Sequence, residues 1–206
     1  MRPNRLNECI RSPVLQSVSG FREMKKEKEY FDLQIEELQS LGLWAADCAE
    51  RVLWIFEEIE RDDRRPRNAL EGIREFADSG KRSNRLRKLA MDAYRASRET
   101  ENPAASAAAQ SAGLAAASAF THPFKDIYQS RHILGPAVYS ALALELRHGG
   151  NPAVGNEVIR EAISCVNRKT AELLGKMPEQ KPGKKRTGQL FYDLDCGIRN
   201  ELKSRF

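Results

Sequence analysis

One stretch constrains this chain more than any other: Leu41 to Ile59, LGLWAADCAERVLWIFEEI. Apolar side chains fall at Leu41, Trp44, Cys48, Val52, Ile55 and Ile59. The steps are threes and fours, the period of one buried helical face. Asp47, Glu50, Arg51, Glu57 and Glu58 lie between them, so the polar face carries both charges. Leu43, Leu53, Trp54 and Phe56 add a second apolar edge. A helix that is apolar on two edges is covered on more than one side. The segment therefore reads as an interior helix around which the rest of the molecule assembles.

Residues 1 to about 22 show no sustained period and read as a loose arm or a short helix. From Met24, the run MKKEKEYFDLQIEELQSLG is rich in helix formers and predicts a helix reaching Gly42, with Tyr30, Phe31, Leu33, Ile35 and Leu38 as its apolar surface. After the central helix, Asp62 or Asp63 caps the next one, Pro66 suits its first turn and Gly80 its end. Ser83 or Asn84, Asn102-Pro103 and Asn151-Pro152 open further helices. The segment from Pro103 to Phe120 is mostly alanine and serine; Leu114 and Phe120 mark it as a packed helix of small side chains. A long helix is expected from Pro123, kinked or divided at Pro136 and ended at Gly149-Gly150. One helix then runs from Asn151 through Leu174. A basic linker, MPEQKPGKKRTG, precedes a last helix bearing Leu190, Phe191, Leu194, Ile198 and Leu202.

No strand pattern appears, and short turns between helices of this length imply antiparallel neighbours. The expected fold is all-α, an irregular bundle of stacked antiparallel helical hairpins. No apolar run reaches the ~18 residues of a membrane span. The N-terminus lacks the continuous apolar core of a secretory signal, which points to the cytoplasm and to no membrane partner. The cysteines, Cys9, Cys48, Cys165 and Cys196, are far apart and show no C-x-x-C pairing. They predict neither a zinc site nor a redox dithiol.

Chemistry-bearing patterns are scarce. The sequence contains no H-E-x-x-H, G-x-S-x-G, P-loop or dinucleotide-binding motif. Glu145 and His148 form one E-x-x-H, whereas a di-iron bundle needs two and two further glutamates. His132 falls on an apolar face and reads as a satisfied core histidine rather than a catalytic one. The expectation is therefore no catalytic residue, no cofactor and no metal. The net charge of +5 matters only if basic groups cluster. Three clusters stand out: Arg61 with Arg64, Arg65 and Arg67; Lys81 through Lys88; and Lys176 through Arg186. If those loop ends aligned, they would form a rim for phosphates. That leaves a nucleic-acid-binding protein as the second reading, and an enzyme centred on His132 as a third. An acidic protein partner would meet the same rim.

The run from Trp44 to Leu53, WAADCAERVL, followed by Phe56-Glu57, resembles the opening helix of the Imm-5-like putative immunity proteins. Asp63, Arg65, Pro66, Ala69 and Ile73 agree with the family's acidic turn, Arg-Pro step and following helix. The alanine-rich helix fits too, and so does Arg131 to Tyr139, RHILGPAVY. Gly135-Pro136 departs from the family's smoother Gly-Ala stretch. The resemblance covers about residues 38–146, and it implies a domain over 38–148. Residues 1–37 would then be an N-terminal arm and helix, and 149–206 a C-terminal helical extension. It also implies a cytoplasmic protein that binds a cognate protein toxin and neutralises it by occlusion. Surface complementarity suffices for that, without catalysis. The residues it singles out for partner binding or as family motif are Trp44, Asp47, Glu50, Arg51, Glu57, Asp63, Arg65 and His132.

Overall fold

The three-four period over Leu41–Ile59 becomes the greater part of α1 (Ile35–Ile59) in the computed structural model, which describes residues 29–205. Glu37 reaches back to accept a hydrogen bond from the Gln34 amide at 2.9 Å, and Glu36 and Glu37 place negative charge in the first turn. Both stabilise a helix start. The helix predicted from Met24 does not extend back from this point. Residues 24–28, like Cys9 and the rest of the expected arm, lie outside the described residues. Tyr30 pairs instead with Phe124 in an isolated antiparallel bridge, and the Phe31 amide donates to the Pro123 carbonyl at 3.0 Å. Helix propensity is a weak prior, and here a tertiary pairing overrides it.

The elements that follow are α2 (Arg65–Ser79), α3 (Asn84–Glu99), α4 (Pro103–Ser118), α5 (Ile127–Arg147), α6 (Pro152–Ser164), α7 (Arg168–Gly175) and α8 (Arg186–Ser204). The protein is all-α, and its helices pack on one another as a bundle. Ser83, Asn102 and Asn151 cap their helices as expected, each accepting from backbone amides of the first turn. Asp63 accepts from the Arg65 amide at 3.0 Å, just outside α2. Gly80 ends α2 with φ 67°, a left-handed position that favours glycine.

Two helix boundaries differ from expectation. The long helix begins at Ile127, capped by Asp126, because Pro123 and Phe124 are engaged with the extended residues 29–31. It then runs undivided through Pro136. Proline removes one amide donor. The Ser111 hydroxyl of α4 packs there and donates to the Pro136 carbonyl at 2.7 Å. The helix expected from Asn151 to Leu174 is two helices, because Asn167 turns its side chain to accept from the Thr170 amide and starts α7.

α1 packs against α2, α4, α5 and α7, and α4 against α1, α2, α3 and α5. Of α4 only Pro103 is exposed. Glycines at its contacts let neighbours come close: a Cβ on Gly113 would sit 3.3 Å from the Ala90 carbonyl oxygen, and one on Gly135 of α5 would sit 2.8 Å from the Leu114 side chain. Ser111 and Ser140 face each other at 3.2 Å, and Ser140 donates to the Cys48 carbonyl, so a polar seam joins α4, α5 and α1. Val158, Ile159, Leu173, Leu190, Leu194 and Ile198 share one core cluster with Leu41, Trp44 and Leu134. The last helix is also clamped by charge. Arg186 donates to both oxygens of the buried Glu145 carboxylate at 2.7–3.0 Å, and to Asn156 and the Pro152 carbonyl. A Cβ on Gly155 would meet that carboxylate, so a larger residue there would make the Glu145–Arg186 pair shift.

Candidate partner-binding face

Once α2, α4, α5 and α7 have covered α1, one stripe of it still meets solvent, Leu43, Asp47, Arg51, Trp54 and Glu58, and Ile59, expected on the buried face, is exposed at the end of the helix. Neighbouring helices hold the polar members of this stripe from both sides. From α2, Arg74 pairs with Asp47 at 3.0 Å. Arg67 pairs with Glu50 at 2.5 Å and takes Glu57 in a two-pronged grip at 2.8 Å. From α6, Glu161 accepts from Arg51 at 2.6 Å. From the end of α5, Arg147 pairs with Glu58 at 3.4 Å and lies 5.8 Å from the centre of the Trp54 ring. Trp54 donates its indole N–H to the Arg51 carbonyl at 3.1 Å and keeps 43% of its surface exposed. An aromatic ring clasped by an arginine among charges of both signs resembles the anchors that dominate protein interfaces.

The other indicated residues are placed differently. Trp44 is buried and donates to the Ala162 carbonyl at 3.2 Å, tying α1 to α6. Asp63 and Arg65 form a tight pair at 2.6 Å at the mouth of α2, and Glu99 of α3 joins them at 2.5 Å. The Arg65 hydrogen bonds hold the Asp63 carboxyl below the usual carboxylate range. Carboxylate partners push the guanidinium groups of Arg65 and Arg67 further up, so both stay charged. Cys48 lies beneath the stripe, and burial pushes its thiol up to about 12, which leaves it inert at neutral pH.

His132 stands apart from this face. It lines hollows bounded by α3, α4, α5 and α8, and no residue of α1 lines them. The ring is not the satisfied core histidine expected: it is half-buried and its Nδ1 has no partner. Burial holds its pKa below the ordinary value, with the nearby His122 adding to the effect. Glu145 and His148 do not converge, since Arg186 takes the carboxylate and His148 Nδ1 meets the Leu144 carbonyl at 2.8 Å. Among the described residues no group of three or more His, Cys, Asp or Glu is arranged to hold a metal ion. Within the basic clusters, Arg64, Arg65, Arg67, Arg85, Lys88, Lys176 and Arg186 each pair with a carboxylate. Among the described residues no helix is long and apolar enough to cross a membrane.

Compared with known families, residues 32–168 match the model described as Imm-5 like putative immunity protein. The chain belongs to that family. The matched span contains the whole of α1 with its exposed stripe, the Asp63–Arg65 turn, the alanine-rich α4 and α5 with Pro136. In this Imm-5 like protein, the family segment thus contains the open face, while the core is shared with α7 and α8 beyond it. No curated protein and no solved structure matches the chain.

Sequence reasoning missed Trp54 and Arg147 as members of the face. Trp54 was visible as part of the second apolar edge, but the pattern alone does not show that no helix covers it. Arg147 comes from a helix that is distant in sequence.

Proposed function

We propose that the protein is an immunity protein that binds a cognate protein toxin in the cytoplasm through the outward stripe of α1 and neutralises it by occlusion. The family assignment supports an immunity role. The observation that carries the choice of face is Trp54, half exposed on a helix whose remaining large side chains are mostly buried. Around it Asp47, Arg51, Glu58, Arg147 and Glu161 form a rim of mixed charge. A buried aromatic anchor within a polar rim gives affinity at the centre and specificity at the edge. In this reading Asp47 and Arg51 meet the partner at the surface together with their ion-pair partners Arg74 and Glu161, and Glu50 and Glu57, gripped by Arg67, flank them. Asp63 and Arg65 fix the adjoining turn, Trp44 supports the face from beneath, and His132 takes no part. Binding is the activity; the protein transforms no substrate.

The test is co-expression with the toxin encoded beside this gene, with growth as the readout, followed by calorimetry on the purified pair. Protection and a 1:1 complex are expected. Trp54→Ala and Asp47→Lys should each weaken the complex by about tenfold or more, the weight of an anchor residue. If both variants protect fully and bind as the parent does, the face is wrong. If the pair forms no complex, the immunity reading fails.

A further inference from the structure

Two hollows open side by side on the face formed by α3, α4, α5 and the start of α8, and neither includes a residue of the α1 stripe. The first, about 310 Å³, is walled by Arg87, Tyr94, Phe120, His122 and His132. The second, about 270 Å³, is walled by Tyr94, Tyr128, Arg131, His132, Tyr139 and Phe191. Tyr94 and His132 belong to both, so the two adjoin along these side chains. Together they reach the size of a small-molecule site.

The lining is chemically biased. Aromatic residues make up only 7% of the chain, yet Tyr94, Phe120, Tyr128, Tyr139 and Phe191 all converge here. No Asp or Glu lines either half. Arg65, Arg67, Arg74 and Arg186 elsewhere are each neutralised by a carboxylate. Arg87 and Arg131 form no ion pair among the described residues and rest on rings instead. Arg87 lies 4.7 Å from the centre of Phe120, and Arg131 lies 5.9 Å and 5.8 Å from Tyr128 and Phe191. Rings orient a guanidinium without cancelling its charge, so each half of the cleft presents a full positive charge beside aromatic walls. His132 adds a buried ring nitrogen with no partner.

We propose that this twin cleft binds a small anion carrying a planar aromatic ring, of about nucleoside-monophosphate size. The aromatic walls take the ring, and Arg87 and Arg131 take the charge. The negative group is a phosphate or a carboxylate. The site is separate from the α1 face, so it stands or falls independently of toxin binding.

The experiment is calorimetry on the full chain with AMP, indole-3-acetate, adenosine and inorganic phosphate. Amide chemical shifts in ¹H–¹⁵N spectra locate the site. AMP or indole-3-acetate should saturate with a sub-millimolar Kd, and whichever binds more tightly identifies the phosphate or carboxylate source. Adenosine and inorganic phosphate, each holding half of the chemistry, should bind at least tenfold more weakly. Arg131→Ala and Tyr128→Ala alter exposed side chains and should preserve the fold, as their spectra will show, while weakening the tighter ligand at least tenfold. Lys169→Ala, which removes an equal charge from α7, should leave its Kd unchanged. The proposal is overturned if neither anion saturates at millimolar concentration, or if inorganic phosphate binds as tightly as AMP. Shifts lying outside the cleft overturn it as well.

Discussion

Arg186→Met tests how the last helix is held. The parent arginine gives three hydrogen bonds to Glu145, at 2.7, 2.8 and 3.0 Å, and the Glu145 side chain is 7% exposed. Methionine keeps the apolar stem and removes every donor, which leaves a nearly buried carboxylate without its partner. Breaking a fully buried pair costs about 3–5 kcal/mol. The Arg186 side chain keeps 25% of its exposure, so water can partly replace it, and the expected loss is about 2–3 kcal/mol. For a chain of this length that lowers Tm by roughly 5–10 °C. Urea unfolding followed by tryptophan fluorescence reads the loss, since Trp44 is buried in the core that α8 joins. The double variant Glu145→Leu/Arg186→Met removes the stranded charge and should recover most of the stability, to within about 1 kcal/mol of the parent. An Arg186→Met loss below about 0.5 kcal/mol would refute the reasoning. So would a double variant as unstable as the two single losses added together.

Two further stability predictions follow from burial. Trp44→Ala should cost about 3–5 kcal/mol by urea unfolding, because it empties a buried site, whereas Trp54→Ala should cost under about 1 kcal/mol because its ring is half in water. Cys48 should resist iodoacetamide in the folded protein while the exposed Cys165 is labelled, as peptide mass mapping will show. The folded Cys48 pKa of about 12 lies above its ordinary 9.0, so its stabilising contribution is complete below pH 9 and is lost as pH rises toward 12. Cys48→Ala should flatten that part of the alkaline stability curve.

The sequence shows the helices wherever period and punctuation coincide. The run from Leu41 carries its own three-four spacing, and Ser83, Asn102, Asn151 and Gly80 mark helix ends through chemistry local to each. It misleads where the deciding partner is far away. Tyr30 and Phe31 sit among helix formers but pair with Pro123 and Phe124, nearly a hundred positions on. Pro136 breaks a helix in isolation, yet α5 runs through it where α4 packs. The family resemblance was legible in the Trp44–Leu53 motif. Which of those residues reach solvent was not: Trp44 and Trp54 carry the same side chain ten positions apart, and only the tertiary packing around Trp44, with its hydrogen bond to the Ala162 carbonyl, separates them.

The methyl-lined interior of α4 has a consequence for how this scaffold can vary. Alanine has no rotamers to freeze, so ordering α4 costs little beyond its backbone entropy. Each methyl is also a spacer that fixes how near four other helices stand. Nearly any larger residue there would push the whole bundle apart. Substitutions along the outer edge of α1 displace nothing behind them. The molecule therefore separates a part that must stay constant from a part that is free to be rewritten, and its surface can be retargeted without rebuilding its frame.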